Sequence, residues 1–176
     1  MDGFLNILFD RNHQFARGMM YMAVQAKGGK YFYAWSKILP DGSFYLPDQA
    51  LQEYQIRPDS NIILMTGRNT AKGFSVLCKE LIANSPLAPI FASIPQLQQF
   101  AIPEGEPVIV KERTFCWVYL NSKGYFTLPL TTWQQFGLKP GDQLLSLRAT
   151  HLAFNNLAEG PYIEQAKQLR DILVYE

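Results

Sequence analysis

Few side chains in this sequence have the type and spacing that catalysis requires. The two cysteines, Cys78 and Cys116, lie among apolar residues, which predicts buried and unreactive thiols. The two histidines, His13 and His151, have no companion at a spacing suited to a metal ion. The motifs HExxH, CxxC and GxSxG do not occur. We therefore expect a protein that is not an enzyme and that uses no cofactor and no metal.

Basic residues are the remaining candidates for chemistry, and the composition limits what they can do. The 176-residue chain has 16 Lys and Arg against 15 Asp and Glu, a formal net charge of +1. This balance excludes a globally basic nucleic-acid binder but permits a local basic face. With 48% apolar and 18% charged residues, the composition is that of a globular protein. No run of 18 apolar residues and no basic leader occur, so we expect neither a membrane span nor a secretory signal. Two cysteines make no disulfide framework, so we expect a cytoplasmic protein.

An internal repeat positions these basic residues. The segment that begins at Trp35 aligns without a gap with the segment that begins at Trp117, a spacing of 82 residues. Further on the spacing becomes 80, which pairs Arg68 with Arg148. The alternative is that two hairpins are similar by chance. The identities argue against this, because they include Gly and Pro residues, which determine where the chain turns. The identical pairs are Trp35/Trp117, Gly42/Gly124, Phe44/Phe126, Leu46/Leu128, Pro47/Pro129, Gln52/Gln134 and Pro58/Pro140.

Each repeat has the pattern of a hairpin, a short helix and a second pair of strands. Aromatic and β-branched residues predict first strands at Tyr31–Ile38 and Arg113–Leu120. Gly42 and Gly124 predict tight turns, because glycine tolerates a positive φ. A proline then ends each returning strand and suits the first turn of a helix. The predicted helices are Asp48–Tyr54 and Leu130–Phe136.

The two repeats are expected to share one core, because a unit of about 45 residues buries too little apolar surface to be stable alone. The predicted fold is mostly β with short helices (α+β), an intrachain pseudo-dimer with peripheral helices. Helices are predicted at Ser75–Asn84 and Pro161–Arg170, and a strand at Asp171–Tyr175. The predicted organisation is an N-terminal extension (1–29), unit one (30–74), a helical connector (75–111), unit two (112–154) and a C-terminal helix and strand (155–176).

A characteristic run of residues follows the hairpin of the second repeat. It comprises Leu128-Pro129 and then Phe136-Gly137-Leu138-Lys139-Pro140-Gly141-Asp142. The first repeat keeps Gly42 and Leu46-Pro47 but has Gln55 in place of the helix-ending glycine. In this pattern the chain resembles the swapped-hairpin family of AbrB, MazE and SpoVT. The resemblance implies that hairpins of the two units interleave in a β-barrel, and that the protein is a bacterial transcription regulator that binds double-stranded DNA.

The chain departs from that family where DNA contacts are expected. Ser43 and Tyr125 follow the hairpin glycines, where DNA-binding members usually have arginine. The short helices have Leu51-Gln52 and Trp133-Gln134 where those members often have arginine. Each missing phosphate contact lowers the salt-dependent part of DNA affinity. The candidate DNA-binding residues that remain are Lys37, Lys123, Arg113, Tyr125, Arg68 and Arg148.

Each candidate also has a structural interpretation. Lys37 and Lys123 would lie on or beside the hairpins that face DNA in the family, or would be solvated turn lysines. Arg68 and Arg148 would bind an anion, or would brace the last hairpin; we favour bracing. The oligomeric state expected from the pseudo-dimer is a monomer or a higher homo-oligomer.

Aromatic residues support an alternative function. Tyr31, Tyr33 and Trp35 alternate along one strand and are expected to share a face, either in the core or on a stacking surface. Tyr45 and Tyr125, near the turns, are expected to be the more exposed. The alternative is therefore a degenerate AbrB-like scaffold that has lost DNA binding and docks a protein partner or a small ligand through an aromatic surface.

Overall fold

A computed structural model describes residues 23–26, 29–66 and 72–176. Most of the N-terminal extension, with His13, and the candidate Arg68 lie outside the described residues. The described part is mostly β with a few short helices, which confirms the predicted α+β class. The strands are β1 (Val24–Gln25), β2 (Tyr31–Lys37), β3 (Ser43–Tyr45), β4 (Ser60–Met65), β5 (Gly73–Leu77), β6 (Val108–Val110), β7 (Arg113–Leu120), β8 (Tyr125–Thr127), β9 (Gln143–Arg148), β10 (Ala153–Leu157) and β11 (Leu173–Tyr175). The helices are α1 (Asp48–Glu53), α2 (Lys79–Ile82), α3 (Ala88–Ala92), α4 (Pro95–Gln98), α5 (Leu130–Gln135) and α6 (Pro161–Lys167).

The two repeats contain the same series of elements, β2–β3–α1–β4–β5 and β7–β8–α5–β9–β10. Gly42 and Gly124 turn the chain with φ values of 83° and 80°. A Cβ atom on Gly42 would lie 2.3 Å from the carbonyl oxygen of Leu128, so only glycine fits there. The helices α1 and α5 begin directly after Pro47 and Pro129, as predicted.

Strands of one repeat pair with strands of the other. The antiparallel pairs are β2 with β9, β4 with β7, β5 with β10 and β3 with β8. The registers agree with the repeat, because the pair Ala34↔Ser146 corresponds to the pair Cys116↔Leu64. In β3 and β8 the equivalent residues Phe44 and Phe126 face each other directly. An approximate two-fold axis therefore relates the two series of elements.

The main core lies between one face of the large sheet and a layer made of α1, α5 and the β3–β8 ribbon. Trp133 of α5 is fully buried at its centre. Its ring centroid lies 6.0 Å from that of Phe44, 5.7 Å from Phe74 and 5.9 Å from Phe126. Its indole N–H donates to the carbonyl of Gly42 at 2.9 Å, which satisfies the one polar atom of this side chain.

Segments outside the repeats cover the other face of the sheet. The residues between β5 and β7, including α2, α3 and α4, cover one half, where Phe91 packs on Phe115 with centroids 5.5 Å apart. The C-terminal residues, including α6, cover the other half, where Ile163 and Phe32 share a buried cluster. The connector and the C-terminal segment therefore have equivalent positions on the two halves of the sheet.

The expectation of a closed barrel is wrong. The large sheet is an open path, β1-β2-β9-β10-β5-β4-β7-β6, with β11 also paired to β2. The added strands explain this, since β1 and β11 share the outer edge of β2, and β6 lies along the outer edge of β7. These edges are already hydrogen-bonded and are not available to close the sheet.

Two local predictions also differ from the structure. Ser75–Leu77, predicted to begin a helix, belongs to β5, and only Lys79–Ile82 is helical. Tyr33 and Trp35, predicted to share a face, pack in different clusters, Tyr33 in the main core and Trp35 on the opposite face. A register irregularity in β2 between Phe32 and Ala34 breaks the two-residue alternation.

Candidate functional site

Two hairpin turns lie at opposite ends of the β3–β8 ribbon. The backbone of Leu128 donates to Gly42 at 3.1 Å, and that of Leu46 donates to Gly124 at 2.9 Å. The ribbon between them is short, so the two glycines are about 13 Å apart at the usual rise of a strand. Lys123 lies on the second turn and Lys37 lies just before the first, and both side chains are exposed.

Each hairpin turn lies beside the helix-to-strand turn of the other repeat. Ile38 and Gly141 lie at the first contact, with Ile38 donating to Asp142 at 2.9 Å and Gly141 donating to Ile38 at 2.8 Å. At the second turn Ser60 pairs with Leu120. We call these surfaces turn cluster one and turn cluster two. Turn cluster one contains Lys37, Asp41, Lys139 and Asp142; turn cluster two contains Arg57, Asp59, Glu104, Tyr119 and Lys123.

Neither turn cluster has a net positive charge, because each has two basic and two acidic side chains. Asp41 accepts a hydrogen bond from the backbone of Ser43 at 2.9 Å, and its hydrogen bonds with Ser43 hold the pKa of its carboxyl below the usual value. Asp59 accepts from the Tyr119 hydroxyl at 3.0 Å and so raises the pKa of that phenol. The acidic residues are ordered parts of these turns, and they reduce the positive field that a phosphate backbone would meet.

Arg148 lies at the other end of β9, away from turn cluster one. Its Nε lies 2.5 Å from Oε1 of Glu53, and its Nη2 donates to Oε2 of Glu53 at 2.9 Å. The guanidinium also stacks over the ring of Tyr31 at 4.0 Å, and the Tyr33 hydroxyl donates to Glu53 at 2.5 Å. These contacts agree with the bracing interpretation of Arg148, since they tie β9 to α1 and β2.

The pKa shifts in this cluster follow from its hydrogen bonds. Burial alone would raise the pKa of Glu53, but hydrogen bonds from Arg148 and Tyr33 and the charge of Arg148 outweigh it and lower that pKa. Burial and the hydrogen bond to Glu53 raise the pKa of Tyr33 above its usual range. The pKa of Arg148 is raised chiefly by its hydrogen bonds to Glu53. At neutral pH the cluster therefore consists of a carboxylate, a guanidinium and a neutral phenol.

The remaining candidates lie apart from one another. Arg113 begins β7, at the opposite end of that strand from Lys123, and its guanidinium contacts the sulfur of Met65 at 3.0 Å. Tyr125 is half-buried and packs on Tyr45 with ring centroids 5.1 Å apart. Tyr45 is buried, contrary to expectation, because Tyr175 of β11 covers it at 4.3 Å. The candidates therefore do not form one surface.

Of the helix positions where DNA-binding members of the family often have arginine, some are buried in this protein and some are exposed. Leu51 and Trp133 are buried, so an arginine there would displace core packing. Gln52 and Gln134 are exposed and uncharged. The exposed helix positions therefore add no charge to the two hairpins.

Sequence reasoning missed Glu53, which makes most contacts in the arginine cluster. The alignment contains a signal, because Gln135 and Phe115 occupy the positions equivalent to Glu53 and Tyr33. Departures from the repeat thus identify a cluster that only one half of the molecule has. The two cysteines are buried as predicted, and burial raises the pKa of Cys116 to about 12.

The sequence matches no protein-family model, and a search of curated proteins finds nothing similar to it. Across the described ranges, no helix has the length and apolar character needed to cross a membrane.

Proposed function

We propose that this chain is a non-catalytic regulator of the AbrB/SpoVT type that binds double-stranded DNA through its two hairpin turns. The two repeats would form a swapped-hairpin pseudo-dimer within one chain. The observation that carries the proposal is the reciprocal pairing of β2 with β9 and of β4 with β7, which lets one chain present two equivalent hairpins. Homo-oligomers would then present further pairs of hairpins.

The contacts expected with DNA are few and electrostatic. Lys37 and Lys123 are exposed at the two turn clusters, and Arg57 and Lys139 are the other cations there. Arg148 is paired with Glu53 and is better assigned to bracing. Because the acids of the turn clusters oppose the cations, binding should be weak and should be observed at low salt only.

The test is a salt titration of the purified chain with a mixed-sequence DNA duplex. The logarithm of the association constant should fall linearly with the logarithm of the salt concentration. The double variant Lys37→Ala/Lys123→Ala should reduce the steepness of this line by about 0.9 for each phosphate that the two lysines neutralise. Anisotropy of a labelled duplex measures both the affinity and its salt dependence.

The matched control removes two lysines elsewhere. Lys72 and Lys167 are exposed and lie near Glu159 and Glu164. Lys72→Ala/Lys167→Ala changes the net charge equally and should leave the slope unchanged. Equal effects of the two double variants would indicate binding without a defined surface. No binding at low salt would remove DNA binding from the proposal.

A second candidate function, docking of a protein partner, is favoured by the alternation of charge in the turn clusters. Opposed acids and bases, such as Lys37 with Asp41, suit a surface of complementary charge better than they suit a phosphate backbone. Tyr119, 44% exposed beside Asp59, adds an aromatic contact of the kind enriched at protein interfaces. A chain that binds no DNA at low salt but remains folded would favour this function.

A further inference from the structure

An open groove lies beside Trp35 on the outer face of the sheet. It has a volume of about 470 Å³ and lies between β2, α6 and β11. Its apolar wall includes Trp35, Leu169 and Val174, and its polar wall includes Gln143, Lys167 and Arg170. This volume lies within the range of small-molecule sites, and the groove has both apolar and polar walls and is open to solvent.

The equivalent tryptophan of the other repeat shows which contacts a side chain at this position makes. Trp117 is the equivalent of Trp35, and the chain itself covers it. The ring of Phe100 packs against Trp117 with centroids 5.5 Å apart and an interplanar angle of 60°. The indole N–H of Trp117 donates to the carbonyl oxygen of Ile102 at 2.8 Å. An aromatic ring and an acceptor oxygen thus complete the site around Trp117.

At Trp35 both of these partners are missing from the described chain. The indole N–H of Trp35 donates no hydrogen bond within the described ranges, and no aromatic ring there stacks on it. Trp35 and Trp117 lie on the same outer face of the sheet in equivalent strands, and the groove lies against Trp35. A bound molecule would have to supply both partners.

The charged residues of the groove indicate which kind of molecule would bind there. Lys167 and Arg170 line it and no acidic side chain of the described residues does. Lys167 is paired with Glu164 at 2.9 Å, whereas Arg170 makes no ion pair with the part of the chain that the structure describes. An anionic acceptor would pair with Arg170, and a carboxylate matches the planar guanidinium in charge-assisted hydrogen bonds.

We propose that this groove binds a small aromatic carboxylate. Its ring would pack on Trp35 as Phe100 packs on Trp117, and its carboxylate would accept from the indole N–H and from Arg170. The groove adjoins turn cluster one, since its Gln143 pairs with Lys37, but this proposal does not depend on DNA binding.

The test uses the full chain labelled with ¹⁵N and follows its tryptophan indole N–H signals. The signal of Trp35 is assigned with Trp35→Phe, and Trp117 and Trp133 serve as internal controls. Addition of 3-phenylpropionate should shift the Trp35 signal saturably and leave the other two in place. The neutral 3-phenylpropionamide should bind at least about tenfold more weakly, the value of one charge-assisted hydrogen bond.

Arg170→Gln should weaken the binding of 3-phenylpropionate by about tenfold while the Trp117 and Trp133 signals show that the fold is intact. Lys72→Gln, at an exposed lysine outside the groove, should have no effect. The proposal is overturned if the Trp35 signal does not move at millimolar acid. It is also overturned if acid and amide bind equally, or if Arg170→Gln binds like the wild type.

Discussion

At the scale of single residues, Glu53 is the side chain on which three elements converge. From the end of the short helix α1 it reaches Arg148 of β9 and Tyr33 of β2. Gln135 and Phe115 replace Glu53 and Tyr33 in the other repeat. The ion pair therefore stabilises only one side of the approximate two-fold axis, and glutamine is already accepted at the equivalent position.

The substitution Glu53→Gln tests this ion pair. It keeps the shape but removes the charge, and it should lower the free energy of unfolding at neutral pH by about 1 kcal/mol, because the pair is partly solvated. The folded-state pKa of Glu53 is lowered, so its stabilisation is present above the unfolded-state value, about 4.3, and is lost as the pH falls through the folded-state value. Urea denaturation across the acid range should show the two proteins converge.

A matched control is Glu164→Gln. That carboxylate pairs with Lys167 on the surface, with side chains 71% and 61% exposed, and its removal should change the stability little at any pH. A stability difference between wild type and Glu53→Gln that persists undiminished at pH 3 would contradict the assignment.

The residue-scale contacts were only partly predictable. The repeat pairs Arg148 with Arg68, and this favours a structural role for Arg148. Its partner is 95 residues away in the sequence, and no periodicity joins two such positions. The burial of Tyr45 is similar, since it depends on Tyr175 at the end of the chain.

At the scale of elements, the core departs from its own symmetry where β2, β9 and β10 adjoin. Ser36, Ser146 and Asn156 are fully buried there. The Ser146 hydroxyl donates to Asn156 at 2.5 Å, but the Ser36 hydroxyl makes no hydrogen bond within the described ranges. The equivalent residues of the other half are apolar: Val118, Leu64 and Val76.

The two buried serines allow a matched comparison by the same chemical change. Ser36→Ala removes a hydroxyl without a partner among the described residues and should leave the stability unchanged or raise it by about 1 kcal/mol. Ser146→Ala leaves the acceptor of Asn156 unsatisfied and should cost about 1–3 kcal/mol. Equal destabilisation in urea denaturation would show that both hydroxyls are bonded in solution.

The elements that could be predicted are those whose own residues favour one type of secondary structure. Arg113–Leu120 is a strand over the predicted range, because its aromatic and β-branched residues suit no other element as well. The residues around Val76 and Leu77 do not favour one type, because a short apolar run suits a helix and a central strand equally. The strand irregularity that separates Tyr33 from Trp35 follows from pairing with β9, which the local sequence does not specify.

At the scale of the whole molecule, every strand of each repeat is hydrogen-bonded to a strand of the other repeat, although β4 also pairs with β5 and β9 with β10. β2 needs β9, β4 needs β7, and β5 needs β10. The repeat made a shared core predictable, but the open sheet was not, because strands outside the repeat decide it. Neither half should be a stable monomer.

A chain divided in the connector after residue 106 tests this dependence. Each half alone should be unfolded or should dimerise with itself, and the mixed halves should form a folded one-to-one complex. The intact chain should sediment as a folded monomer or as a higher homo-oligomer at micromolar concentration, without unfolding on dilution. A cooperatively unfolding monomer of either half, seen by circular dichroism and sedimentation, would contradict the dependence of one half on the other.

The pairing of β2 with β9 also has a consequence during synthesis. Ala34 meets Ser146, so the inner edge of β2 has no partner until β9 has been synthesised, although β1 can already pair with the outer edge. This inner edge stays unpaired until then, and exposed strand edges are liable to aggregate. Long-range pairing of this kind folds slowly. The inner edge of β2 is therefore the part of the emerging sheet most exposed to pairing with another chain.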